Sequence, residues 1–255
     1  MIAAIIQART GSTRLPGKIL RRTNSKTILE HLLERVNRST KIDKIIVATT
    51  INKQDDVIVK LCKDTKTLCI RGSEEDVLAR YCQAANSVNA DVVVRITSDN
   101  PLIDHRIIDE AIDIFCNNKY DYVCNYSLHS TTYPHGFAVE VLSVKSLNEA
   151  NKETIKPSDR EHVVFFITHQ PNRYKIFQMN YKENLSSIRL TLDYEEDFQV
   201  IKSVFDELYP QNPDFTMNDI ILWLNKNPQI KKINSNIKPY LNILKSFEED
   251  KRKGF

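Results

Sequence analysis

The chain has 255 residues, 41% of them hydrophobic, which is enough to bury one large core. Its 36 basic and 33 acidic residues are interspersed and leave a net charge of +3, so composition excludes a broad electrostatic surface for nucleic acid or membrane and leaves room for a local anion site. No apolar run approaches the roughly 20 residues that span a bilayer, and five cysteines without CxxC spacing read as buried thiols of a reducing, cytoplasmic compartment.

The first apolar run, "IAAIIQA" (2–8), predicts a strand. The stretch that follows, "RTGSTRLPGKIL", holds two of the five glycines, Gly11 and Gly17, beside the cations Arg9, Arg14 and Lys18. It has neither the Walker spacing nor the dinucleotide fingerprint. Mobile backbone from Ala8 to Lys18, the Ser12 hydroxyl and three cations nevertheless suit a triphosphate; a solvated basic loop is the alternative. Helices are predicted at 27–39, 52–64, 74–88 and 104–118, alternating with apolar strands at 44–50, 67–72 and 91–97. This rhythm predicts a mostly parallel α/β sheet with helices on both faces. Ligands then bind beyond the carboxyl ends of the strands, at loops starting at Ala8, Thr50, Arg71 and Thr97.

"VRITSDNPLID" (94–104) puts Arg95 and Asp99 at a strand end before Asp104 caps the next helix. Asp99 is either a metal ligand or a turn residue ahead of Pro101. "IRLTLDYEEDF" supplies Asp193 at a second strand end, ahead of an acidic helix start that the helix dipole accounts for. Each aspartate alone reads as a turn or cap residue; together they fit Mg²⁺, which takes one or two carboxylates plus substrate phosphates.

Beyond 121 the rhythm changes. Strands are predicted at 121–127, 137–143, 173–181 and 187–193, and one helix at 158–170. The whole of 1–255 reads as a single nucleotidyltransferase domain, with 120–187 as a small α+β excursion that packs against a second copy and 209–255 as a helical tail with a solvated end. His31 reads as a surface residue.

Taken together, these motifs resemble the cytidylyltransferases that activate acidic sugars, the CMP-sialic acid and CMP-Kdo synthetases, and most closely their spore-coat polysaccharide branch. The resemblance covers about residues 2 to 205. It rests on "QARTGSTRLPGKIL", "RGSEEDVLARYCQAA", "VRITSDNPLID", "YPHGFAVEV", "SDREHVVFFI" and "LDYEEDF". It implies a Rossmann-like, nucleotide-diphospho-sugar transferase-like fold, a homodimer, and CMP transfer from CTP to an acidic or phosphorylated acceptor in surface polysaccharide synthesis. By the same resemblance Arg9, Ser12, Arg14 and Lys18 meet the triphosphate, with Ala8, Gly11, Gly17 and Arg95 also at the nucleotide. Arg71, Gly72 and Ser73 lie near cytosine, and Asp99 and Asp193 hold Mg²⁺. Lys18, Arg14, Asp99 and Asp193 are then the catalytic set. Ser98 replaces the family's usual glycine, and either stiffens the loop or adds a hydrogen bond. Tyr133, His135, Glu140, Arg160, Glu161 and His162 are acceptor-side candidates; the plainer alternatives are a carboxylate-paired helical histidine for His162 and a solvent-facing charge for Glu140. A nucleotide-sugar glycosyltransferase would carry a D-x-D motif at a strand end, and none is present. A catalytically silent nucleotide-binding subunit would have no reason to keep Lys18, Asp99 and Asp193 together.

Overall fold

The computed structural model describes residues 1–127, 130–238 and 241–255, without the side chains of 241 and 242. Strand β1 (Ile2–Gln7) is apolar on both faces, and Ala3 to Ile6 are fully buried. It leads through the glycine-bearing loop into a two-stranded ribbon, β2 (Arg22–Thr23) and β3 (Lys26–Thr27). Helix α1 (Ile28–Val36) then starts on a Thr27/Glu30 capping box, which satisfies two otherwise orphaned amides. The alternation continues with β4 (Lys44–Thr50), α2 (Asp56–Asp64), β5 (Leu68–Gly72), α3 (Val77–Ser87), β6 (Val92–Thr97) and α4 (His105–Asn118). Asp76 and Asp104 cap α3 and α4 through their side chains.

β1 pairs in parallel with β4 on one side and β6 on the other, and β5 extends the sheet beyond β4. The second half completes the same sheet. β7 (Tyr122–Cys124), β8 (Glu140–Ser143) and β9 (Ile176–Gln178) give the order β5-β4-β1-β6-β8-β7-β9, in which β8 runs antiparallel to both its neighbours. Residues 120–187 are therefore no separate appendage: three of their segments are sheet strands, and α5 (Val144–Glu153), α6 (Pro157–His162) and α7 (Phe165–Thr168) connect them. The chain closes with α8 (Glu195–Gln211), α9 (Met217–Lys226), α10 (Pro228–Lys232) and α11 (Leu241–Arg252).

Alternation along β1 sorts the core into two layers. Ala4 and Ile6 pack with α1, α4 and α8, while Ala3 and Ile5 pack with α3 and α5. Each fully buried isoleucine contributes roughly 1.5–3 kcal/mol.

Three local expectations are corrected. The helix predicted at 158–170 breaks into α6 and α7, because Val163 takes a left-handed φ of 69°. Residues 187–193 form no strand; they run extended, with one bridge between His135 and Arg189. His31 is fully buried, its Nε2 on the Thr23 carbonyl oxygen and its ring stacked on Phe205 at 4.1 Å. The tail ends in solvent as expected, with residues 251–255 exposed, although Asp250 is buried and Phe247 stacks on Phe165. All five cysteines are free; Cys62, Cys82 and Cys124 are buried as expected, Cys69 is half-buried and Cys116 is exposed.

Gly136 is where the fold needs glycine. Its φ is 108°, and an added Cβ would lie 2.4 Å from the Leu190 carbonyl. The contact forms because His135 donates its amide to Ile188 O and accepts from Leu190 N, drawing 134–136 onto the extended segment that carries Asp193. Gly136→Ala is expected to cost on the order of 2–4 kcal/mol and to lower the thermal midpoint by about 5 °C or more. An unchanged melting curve would show that this approach is not tight.

Candidate active site

Beyond the carboxyl ends of β1 and β6 lies a cleft of about 1070 Å³. The loop after β1 forms its floor. Asp55, fully buried, accepts from the amide and hydroxyl of Thr10, and Gly17 donates its amide to Thr10 O. Gly17 sits at φ 65°, which turns the chain so that Lys18 points inward. Ser12, Thr13, Arg14 and Lys18 line the cleft together with Ala8 and Arg9. The Thr13 amide has no partner among the described residues, and the Ser12 hydroxyl accepts from Leu15 N.

Lys18 is the centre of the site. Its ammonium donates to Asp99 Oδ2 at 3.2 Å, Asp193 Oδ1 at 2.9 Å and the Leu192 carbonyl oxygen at 2.7 Å. Burial alone would discharge it, but Asp99 and Asp193 outweigh burial and raise its pKa above the usual lysine value. Burial likewise opposes ionisation of Asp193, and Lys18 and Arg14 outweigh it to hold the carboxyl below the ordinary range. Thr97 donates its hydroxyl to Asp99 Oδ1 at 2.6 Å and so aims the second carboxylate. Two aspartates 94 positions apart in the chain thus converge on one cation at one edge of the sheet.

A second layer holds the Asp193 loop. Arg189 forks onto buried Asp197, at 2.8 and 2.9 Å, and reaches Asp193 Oδ2 at 3.3 Å. Asp197 also accepts from the amides of Asp193 and Tyr194 at the start of α8. The acidic helix start is therefore more than a dipole partner. Asp55, Thr97, Arg189 and Asp197 are positioning residues that local pattern does not single out, although the i, i+4 spacing of Arg189 and Asp193 is visible in the sequence.

Of the residues expected near a base, Ser73 lines the cleft, but Arg71 and Gly72 do not. Arg71 is committed elsewhere, donating to the Thr50 and Asn52 carbonyl oxygens and pairing with Asp56. Arg80 stands in the cleft instead: it is buried, donates to Ser73 O, and its Nε has no partner. Gly11 and Gly17 shape the loop without lining the cleft. Ser98 is buried and lines it.

The far half of the cleft carries Tyr133, His135, Glu140, Arg160, Glu161 and His162. Glu140 and Arg160 are tied to neighbours by ion pairs. Glu140 is buried rather than solvent-facing: β6 and β8 set it opposite Arg95, with which it pairs, and it accepts from Tyr122 OH at 2.6 Å. Arg160 spends its guanidinium as a clamp, forking onto Asp76 and donating to the Asn151 and Thr154 carbonyl oxygens, so that it ties α6 to the start of α3. Burial pushes the Tyr133 hydroxyl up to about 12, and burial, then Arg189, pushes His135 down.

His162 contacts Ser246 Oγ at 3.0 Å, and burial, then nearby Arg95, brings its pKa down to about 4. A histidine that binds its proton less tightly when folded contributes stability fully above its unfolded value near 6.5, and loses it as pH falls toward 4. The contribution is up to about 3 kcal/mol. Urea midpoints are therefore expected to fall more steeply between pH 6.5 and 4 in the wild type than in His162→Gln; parallel curves would contradict a buried neutral imidazole.

The sequence model of the cytidylyltransferase family matches residues 3–225. The chain belongs to the cytidylyltransferases. This cytidylyltransferase is 42% identical over 239 residues to an uncharacterized Methanocaldococcus jannaschii protein, a match covering 93% of the chain and 96% of that protein. It is 33% identical over 234 residues to the spore coat polysaccharide biosynthesis protein SpsF of Bacillus subtilis, covering 89% and 95%. A solved cytidylyltransferase structure from Leptospira borgpetersenii superposes with a TM-score of 0.86 at 33% identity, over 94% of this chain and 98% of that one. The cytidylyltransferase is accordingly a nucleotidyltransferase with a Rossmann-like, mostly parallel sheet.

Proposed function

We propose that the cleft transfers CMP from CTP to an acidic acceptor: an acceptor oxygen attacks the α-phosphorus and pyrophosphate leaves. The observation that carries this reading is the Lys18 ammonium seated between Asp99 and Asp193 beside the loop of residues 8–18, in a chain of the cytidylyltransferase family. Phosphoryl chemistry needs alignment and charge neutralisation more than a covalent nucleophile. Lys18, Arg14 and Arg9 meet the triphosphate, and the Thr13 amide adds a neutral donor. Lys18 neutralises charge that develops on the departing pyrophosphate. Arg80 and Ser73 take the base-proximal role in place of Arg71 and Gly72.

The donor set of Asp99 and Asp193 fits a divalent cation, since both carboxylates already face one positive charge and Mg²⁺ is commonly held by one or two carboxylates plus phosphates. When bound, Mg²⁺ supplies charge neutralisation at the phosphates and lowers the pKa of a coordinated hydroxyl. The reading includes a homodimer, and the likeness to SpsF supports a place in surface polysaccharide or glycoconjugate synthesis in the cytoplasm.

The test is nucleotide selectivity. Pyrophosphate release is measured with CTP, UTP, ATP and GTP, each with Mg²⁺ and a panel of sugar acids and phosphorylated acids. CTP is expected to win by at least about tenfold, because a site built to hydrogen-bond one base leaves polar groups unpaired against another. Equal rates with all four nucleotides would sink the cytidylyl reading and leave nucleotidyl transfer standing.

A further inference from the structure

Helix α2 bridges the parallel strands β4 and β5 and therefore runs back along β5, antiparallel to it. Asp56, at its start, pairs with Arg71 near the end of β5 at 2.6 Å. From Asp56 the helix rises about 9 Å to Cys62 in its last turn, and from Arg71 the strand runs back about 7 Å to Cys69, so the two cysteines stand at the same level. Alternation along β5 then sets the direction. Ile70 packs on the α3 side of the sheet, whereas Cys69 packs on the other side, in one cluster with Ile58 and Cys62 of α2. The turn between them is tight: Thr67 N donates to Cys62 O at 2.8 Å, and Lys66 takes a left-handed φ of 55°.

The two thiols are not equivalent. Cys62 is fully buried and Cys69 half-buried, so Cys69 is the one open to a small solute. Cys62 donates its S–H to the Cys69 sulfur. That bond, with Arg71 assisting against burial, holds the Cys69 thiol below its usual range, while the same bond, then burial, pushes Cys62 well up. An accessible sulfur that ionises readily, with a second thiol already in contact, is the arrangement on which reversible thiol oxidation depends. Neither cysteine lines the cleft, so the pair is a site apart from cytidylyl transfer.

We propose that Cys69 and Cys62 form a dithiol modification site that hydrogen peroxide oxidises to a reversible disulfide, fastening the last turn of α2 to β5. The Cys69 thiolate attacks one peroxide oxygen, the O–O bond breaks and hydroxide leaves, which gives a sulfenic acid at Cys69. The Cys62 sulfur then attacks the Cys69 sulfur, the S–O bond breaks, and water leaves with the Cys62 proton. Two thiols and one peroxide become one disulfide and two waters: the sulfurs lose two electrons and the peroxide oxygens gain them. Exchange with an external thiol returns both cysteines to the reduced state.

The experiment treats the reduced full-length protein with hydrogen peroxide, blocks the remaining thiols with iodoacetamide and digests it with trypsin in the absence of reductant. Trypsin cleaves after Lys60, Lys63, Lys66 and Arg71, so the two cysteines fall in separate peptides, 61–63 and 67–71. Mass spectrometry is expected to find these peptides joined, and to find them apart after dithiothreitol. The linkage is expected to form at least about tenfold faster than exposed Cys116 is oxidised, because the thiolate is the reacting species. Cys62→Ala is expected to leave a sulfenic acid at Cys69 that dimedone traps, and Cys69→Ser to leave Cys62 reduced. Recovery of both peptides alkylated while Cys116 is oxidised overturns the proposal, as does linkage of either cysteine to a different one. A dimedone adduct on Cys62 in the Cys69→Ser variant overturns the division of roles.

Discussion

Lys18→Ala is expected to lower turnover by at least about 100-fold, the scale of losing one preorganised transition-state donor. The expectation follows from how the side chain is held. Gly17, in the left-handed region, turns Lys18 into the cleft, and three acceptors fix its ammonium between the two aspartates and the Leu192 carbonyl oxygen. Among the described residues no other lysine reaches these carboxylates. Arg14 and Arg189 still neutralise Asp193 in the variant, so circular dichroism and gel filtration are expected to report a folded protein. A folded Lys18→Ala protein with near-normal turnover would remove Lys18 from the reaction.

Asp99→Asn and Asp193→Asn are each expected to remove about 99% of turnover, on the same scale. A neutral amide cannot offset the charge of a divalent ion among phosphates, and in Asp193→Asn it also leaves the buried Lys18 with one carboxylate fewer. Because the two side chains serve one charge centre, the double variant is expected to be little worse than either single. Turnover measured against Mg²⁺ concentration checks this directly. Multiplicative losses in the double variant would mean that the aspartates act separately, and would return Asp193 to the role of a loop residue ahead of α8.

The parallel half of the sheet was legible in the sequence because its strands are short apolar runs buried on both faces and its helices carry one apolar stripe each. The motif loops were legible because Gly17 and the residues around Asp99 must sit at strand ends to do their work. What the sequence did not disclose are choices of partner across long separations. Arg160 and Asp76 lie 84 positions apart, and nothing near either says that they clamp two helices together. Glu140 alternates as a surface residue should, yet the antiparallel register with β6 brings it to Arg95 in the interior. Arg71 looked free because its competitors, the Thr50 and Asn52 carbonyl oxygens, become acceptors only when β4 and β5 pair. The break at Val163 carries no glycine or proline to announce it. His31 looked like a surface residue from its charged neighbours, whereas its acceptor and its stacking partner come from β2 and α8.

The most direct measurement of the central claim is ³¹P NMR of the protein with CTP, Mg²⁺ and an acidic acceptor. The account predicts that CTP is consumed while pyrophosphate and a new phosphodiester resonance grow in equal amounts, and that Lys18→Ala abolishes both. Unchanged CTP with every acid offered, or its hydrolysis to CDP and inorganic phosphate without a phosphodiester, would contradict it.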